Sequence, residues 1–290
     1  MKHALILALC LFAGTILQSN AQQKLPVIGL TTSYGNDSLA KASGFTCMEE
    51  TVKKLLSPSL TEAEFNKQLP LIRNTRCKLE SCNVFIPANI KIVGPEVNEA
   101  QVLGYVDTVM QRARIAGIRI IVLGSGGSRK MPEGIDREAA KQQFIQLARK
   151  MGVVAAKYDR TIAMENLNST ETNFINTLAE ANEIVTAVNH PNFRLTADIY
   201  HMLKENEPAA NIEKAKGNLV HCHIAEREKR TPPGVAGDDF RPYLAALKKI
   251  GYSGRIMMEC RWTDPVTEYK PAVIYLQRQL REAYGVDPKK

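Results

Sequence analysis

The sequence predicts an α/β fold, a single-domain (β/α)₈ barrel, and three observations carry that expectation. Short apolar, β-branched runs alternate along the chain with segments of helical periodicity. The length that follows an N-terminal leader is close to the roughly 250 residues such barrels use. The rival doubly wound sheet opens on a G-x-G-x-x-G turn after its first strand, and Leu30 to Asn36 has none.

The elements follow in order. Lys2, an apolar run from Ala4 to Gly14, and the small residues Ser19 and Ala21 before Gln22 read as a signal peptide over residues 1–21. The run is too short to span a bilayer, and no later stretch is apolar enough to do so. Residues 22–290 form the catalytic domain. Strands are expected at Pro26 to Thr31, Phe45 to Glu50 and Leu79 to Ile86. A fourth, Arg119 to Leu123, ends in Gly124. The others are Thr161 to Glu165, Phe193 to Asp198, Leu219 to Ala225 and Arg255 to Cys260. Such runs suit strands buried on both faces of a parallel sheet. Helical stripes run from Val102 to Ala116, stopped by Gly117, and from Ala140 to Ala155, capped by Asp136. Three more cover Thr177 to Val188, Phe240 to Ile250 and Pro271 to Tyr284. The whole is a (β/α)₈ TIM barrel with no repeat, linker or second domain.

Composition narrows the function. A hydrophobic content of 44% suffices for a packed core. The net charge of +8 lacks a dense basic block apart from Glu226 to Arg230 and the Lys289-Lys290 end. Acidic residues are interleaved, so a solvated surface is expected and no nucleic acid partner. The leader implies export, to the periplasm in a Gram-negative source. Of six cysteines, losing Cys10 with the leader leaves an odd number without zinc-type pairing. Export permits oxidation of Cys47, Cys77 or Cys82, but buried thiols are the expectation for a chain this long.

Barrel active sites lie at the C-terminal ends of the strands. Read there, the last four strands deliver Glu165, Asp198, His223 and Glu259 in turn. Alternation along a strand turns His223 and Glu259 into the mouth and Cys222 and Cys260 outward. Singly, each residue is as well explained as a rim ion pair, a core histidine or, for Asp198, a helix cap. Jointly they form a mostly oxygen donor set for one divalent metal, with Mn²⁺ or Co²⁺ favoured over Mg²⁺ and Zn²⁺. Open positions on that ion would take vicinal substrate oxygens and polarise a carbonyl. Gly124-Ser125-Gly126-Gly127 lacks the Gly-Lys-Ser/Thr ending of a phosphate loop and reads as a tight turn at the rim. The long stretch from Glu226 to Asp239, with Pro232, Pro233, Gly234 and Gly237, reads as a lid.

These residues resemble the xylose-isomerase-like sugar isomerase and epimerase superfamily, with the metal pattern of the ketose 3-epimerases over nearly all the mature chain. The resemblance implies that Glu165 and Glu259 are both ligands and acid–base groups. It implies sugar contacts at Glu171, His201 and Glu226, and an Arg after the His ligand. Lys229 holds that spacing and Arg230 lies one residue further on, so Arg230 is the candidate. The implied reaction removes the proton beside a carbonyl through an enediolate. Export favours a non-phosphorylated 3-keto-glycoside that loses its aglycone by 1,2-elimination, with ketose 3-epimerisation or aldose–ketose isomerisation as the alternative. An apurinic endonuclease would need early-strand histidines, yet after His3 the next is His190. A two-metal site with a lysine between acidic ligands is not found. A sugar-binding barrel without catalysis needs fewer acid–base groups than are present.

Overall fold

The computed structural model describes residues 24–286. The leader, Cys10 and the Lys289-Lys290 end lie outside them. Eight parallel strands close in sequential order into a barrel: β1 Val27–Thr31, β2 Cys47–Thr51, β3 Lys78–Asn83, β4 Ile120–Leu123, β5 Thr161–Glu165, β6 Phe193–Asp198, β7 Leu219–Ile224 and β8 Arg255–Met258. β8 pairs back onto β1, for example Ile28 with Ile256. No helix among the described residues is long and apolar enough to cross a membrane.

Local chemistry sets the helix limits. Asn98 caps Glu99–Ala116, and Gly117 ends it at φ 80°, where a side chain would be strained. Asp136 accepts the Ala139 N–H at 2.8 Å and starts Arg137–Lys157 as expected. The last helix, Pro265–Tyr284, begins well before Pro271 because Asp264 caps it and Pro265 fills its first position; Pro271 lies inside it. A helix the apolar stripes do not announce is Glu62–Arg73, opened by a capping box between Thr61 and Glu64.

The main core lies between strands and helices, where Phe144, Phe174, Phe193, Leu195 and Ile184 are fully enclosed. Cys222 lies in that layer, and Cys260 is half-buried against it. The expectation that they face the helices is met. Cys47, Cys77, Cys82, Cys222 and Cys260 are all free, so the oxidation weighed for the first three is not what the structure shows. Burial pushes the Cys47 thiol up to about 12 and that of Cys77 to about 11, which leaves both protonated and inert.

Candidate metal centre and sugar cleft

The site is built from the ends of β5 to β8. Glu165 closes β5, Asp198 closes β6, His223 sits near the end of β7, and Glu259 follows β8. His223 Nδ1 lies 2.6 Å from Glu165 Oε1, 3.0 Å from Glu259 Oε2 and 3.9 Å from Asp198 Oδ2. One donor atom from each of the four falls within 4.8 Å of the others. Three carboxylates and one imidazole converging in a nearly dry pocket fit a hard or borderline divalent cation. Asp198 serves two ends at once: Oδ1 caps the next helix through the His201 N–H at 3.2 Å, while Oδ2 faces the cluster.

The backbone is cut to fit Glu165. A Cβ at Gly124 would lie 2.3 Å from Glu165 Oε2, so the turn after β4 must be glycine there for the carboxylate to be seated. Arg129, fully buried, donates to the Glu165 carbonyl at 2.7 Å and to that of Ile175 at 3.4 Å. Burial lowers its guanidinium to about 10. On the other side, Asn83 at the end of β3 donates to Glu259 Oε1 at 2.8 Å.

Electrostatics divide the carboxylates. Burial raises Glu165 and Asp198 above the usual range, against the pull of His223 on both and of Arg230 on Asp198. Burial acts on Glu259 too, but Arg230 and His223 outweigh it and hold it at about 2. Burial disfavours charge on His223, yet Glu49, Glu259 and Glu165 outweigh that and raise it well above its ordinary value. His201 moves the other way, to about 4, because burial dominates. Its Nδ1 accepts from the Asn168 backbone N–H at 3.0 Å and lies 2.8 Å from Asn168 Nδ2. The neutral ring therefore carries its proton on Nε2, which is buried, makes no hydrogen bond and lies 3.4 Å from Asp198 Oδ2, in a residue that lines the cleft.

The cleft above the four residues has a volume of about 330 Å³. Its lining includes the polar side chains of Glu165, Glu171, His201, Arg230 and Glu259 and the apolar ones of Val84, Ile86, Pro87 and Ala88. Arg230 reaches Glu259 Oε2 at 2.6 Å and Asp198 Oδ2 at 3.4 Å, and stacks 4.7 Å from the Tyr200 ring centroid. Lys229 turns outward, with its side chain 81% exposed. Both residues adopt left-handed backbone, at φ 53° and 58°. That double curl takes up the extra residue and brings Arg230 inward, at a cost of about 1–3 kcal/mol per residue.

Glu226 is not in the cleft. Its carboxylate accepts N–H groups from Gly234, Ala236, Gly237 and Asp238 and the Thr231 hydroxyl, and it is fully buried. The sugar contact expected of Glu226 is thereby corrected: its oxygens are spent on its own loop. The same bonds, with Tyr275 and Gln279 donating to the Asp238 carbonyl, tie down the stretch expected to be a lid. Sequence reasoning also passed over Glu49, Asn83, Arg129, Asn168 and Tyr200. Only Glu49 left a trace, as one of two adjacent acidic residues, with Glu50, inside the short buried strand Cys47–Thr51.

Residues 38–279 match the family of xylose isomerase-like TIM barrels. The chain belongs to this family. An L-ribulose 3-epimerase of Methylomonas sp. (strain DH-1) is 32% identical over 148 residues, covering 51% of this chain and 49% of that protein. A 3-dehydro-D-guloside 4-epimerase of Escherichia coli (strain K12) is 29% identical over 127 residues, 43% of this chain and 48% of that protein. The chain thus spans about half the length of the curated relatives it matches. Among solved structures, a 3-keto-D-glucoside 4-epimerase from E. coli superposes with a TM-score of 0.74 over 87% of this chain and 99% of the other, at 21% identity. An L-ribulose 3-epimerase gives 0.77 over 89% and 96%, at 18% identity. At those identities the likeness is one of fold. Within this xylose isomerase-like barrel, the acidic cluster lies at the strand ends where the fold places chemistry.

Proposed function

We propose that the chain is a divalent-metal-dependent enzyme of keto-sugars that removes and returns a proton on the carbon beside a carbonyl, with epimerisation as the outcome. The observation that carries this reading is the meeting of two carboxylates, Glu165 from β5 and Glu259 from β8, at His223 Nδ1, both of them lining one cleft. Epimerisation needs an acid and a base on opposite faces of one carbon, and the pair supplies both. Glu165, Asp198, His223 and Glu259 would hold the metal, which when bound would offset the negative charge on the substrate oxygens. His201 donates from Nε2 to a substrate oxygen. Arg230 orients Glu259 and faces the sugar beside Glu171, which lies 3.7 Å away. Among the described residues Arg230 is the sole lysine or arginine lining the cleft, and it is already paired with carboxylates, which favours a non-phosphorylated substrate. The names of the relatives, which include a ketose 3-epimerase and a keto-glycoside 4-epimerase, support this class.

One observation favours a second outcome. The cleft lining includes the apolar residues Val84, Ile86, Pro87 and Ala88, which suit contact with the aglycone of a 3-keto-glycoside. In that case the same deprotonation would be followed by loss of the aglycone from C1. The leader sequence fits such a role in the periplasm, before uptake. Incubation in D₂O with ketohexoses and 3-keto-glucosides, with Mn²⁺ or Co²⁺ and with chelator, tests the reading by NMR. Epimerisation requires deuterium at the inverted carbon, and elimination releases the aglycone. Full turnover after exhaustive chelation would refute the metal role.

A further inference from the structure

Beneath the four site residues the barrel interior holds a second cluster. Glu49 of β2 and His221 and His223 of β7 are fully buried. Glu49 Oε2 lies in hydrogen-bond contact with His221 Nε2 at 3.0 Å, and Oε1 lies 2.8 Å from His223 Nε2, off the line of a hydrogen bond. Thr31 of β1 donates its hydroxyl to Oε1 at 3.1 Å. The closed strand order puts β1 and β8 between β2 and β7, so this carboxylate reaches across the interior. The two imidazoles stand edge to face with centroids 5.0 Å apart, which fixes both ring planes.

The three residues could be mistaken for a second metal site, because their donor atoms also fall within 4.8 Å. The contacts argue otherwise. Both Glu49 oxygens already accept hydrogen bonds, Oε1 from Thr31 and Oε2 from His221, and neither Glu49 nor His221 lines the cleft. We propose instead that Glu49 is a positioning residue for His223, holding the ring proton on Nε2 so that the Nδ1 lone pair is directed at Glu165, Asp198 and Glu259. A neutral imidazole has one donor and one acceptor nitrogen. Carboxylates oppose both ring nitrogens, Glu49 at Nε2 and Glu165 at Nδ1; a cation held by Glu165, Asp198 and Glu259 would take the place of the Nδ1 proton and leave the Nε2 proton facing Glu49. Nδ1 is then left to bind that cation in the correct ring orientation. His221 and Thr31 keep Glu49 in place by occupying the rest of its accepting capacity.

This role rests on the metal reading above, and the test separates the two. The metal-stripped full chain is titrated with Mn²⁺, free Mn²⁺ being followed by electron paramagnetic resonance, for wild type, Glu49→Gln and Glu49→Ala. The wild type is expected to bind one Mn²⁺ per chain. Glu49→Gln conserves volume and one accepting oxygen; it should bind about 10- to 100-fold more weakly. Glu49→Ala should bind more weakly still, and turnover of Glu49→Gln should recover at saturating Mn²⁺. Thermal melts of the metal-free proteins identify any variant that fails to fold. If Glu49→Ala does not fold, Glu49→Gln decides alone. A Glu49→Gln affinity equal to wild type overturns the positioning role and leaves the metal reading intact. Two Mn²⁺ per wild-type chain, with the second lost in Glu49→Gln, overturns it in favour of a second ion. A wild type that binds no Mn²⁺ refutes the metal reading itself, and the role with it.

Discussion

Gly124→Ala separates the seating of one carboxylate from the stability of the barrel. The added Cβ would lie 2.3 Å from Glu165 Oε2, about 1 Å inside ordinary contact. The atom it meets is the end of a side chain, so the fold can yield by turning that carboxylate, at about 1 kcal/mol. Glu165 has little freedom to turn harmlessly. Its other oxygen is 2.6 Å from His223 Nδ1, and its carbonyl is held by Arg129. The displacement is therefore passed on to the reacting geometry. A misplacement of about 1 Å costs about 100-fold in rate, equivalent to about 2.7 kcal/mol. The assay is deuterium uptake at the carbon beside the keto group, alongside a thermal melt. The expected result is exchange slowed about 100-fold with Tm lowered by about 2–4 °C. In a Glu165→Asp background, where the shorter acid leaves room for the added Cβ, Gly124→Ala should slow exchange much less than it does in wild type. Exchange within threefold of wild type would refute the reasoning. So would a collapse of Tm with the loss of rate, since the defect would then lie in the fold.

Two further perturbations have clear outcomes. Arg230→Ala removes the partner of Glu259 and Asp198 and should lower kcat/KM at least tenfold, whereas Lys229→Ala, on an exposed side chain, should leave kinetics unchanged and stability within about 0.5 kcal/mol. The reverse order would place the wrong residue in the cleft. Glu226→Ala strands several loop N–H groups and should destabilise the chain by about 3 kcal/mol, lowering Tm on the order of 5–10 °C in a melt. A kinetic defect with unchanged Tm would instead restore Glu226 as a sugar contact.

The sequence made the barrel legible because a strand buried on both faces leaves a dense apolar signature. β5 and β6 fall on the expected residues, Thr161–Glu165 and Phe193–Asp198. The helix Glu62–Arg73 was missed because its apolar face is thin, with only Phe65 and Ile72 buried; its clearest mark is the polar capping box. At the site, residues on successive strand ends could be read from spacing alone, and the structure gathers those four. Contacts that depend on how a chain curls could not. Glu226 and Arg230 stand in one loop, yet one faces inward to the loop and the other to the cleft. That difference is set by two left-handed residues and by backbone donors that no side-chain pattern reveals. Glu49 was hidden for a related reason: its partners lie across the barrel, far away in sequence.

The loop held by Glu226 is assembled mainly on peptide N–H groups, and every residue except proline owns one. Its shape is therefore largely independent of what Val235 and Ala236 carry, and both are exposed. Gly234 and Gly237, at φ 99° and 85°, are bound to their identity, and proline is barred at 234, 236, 237 and 238. The rim thus offers two interchangeable positions on a rigid frame. Selection or design could vary them without renegotiating the architecture beneath.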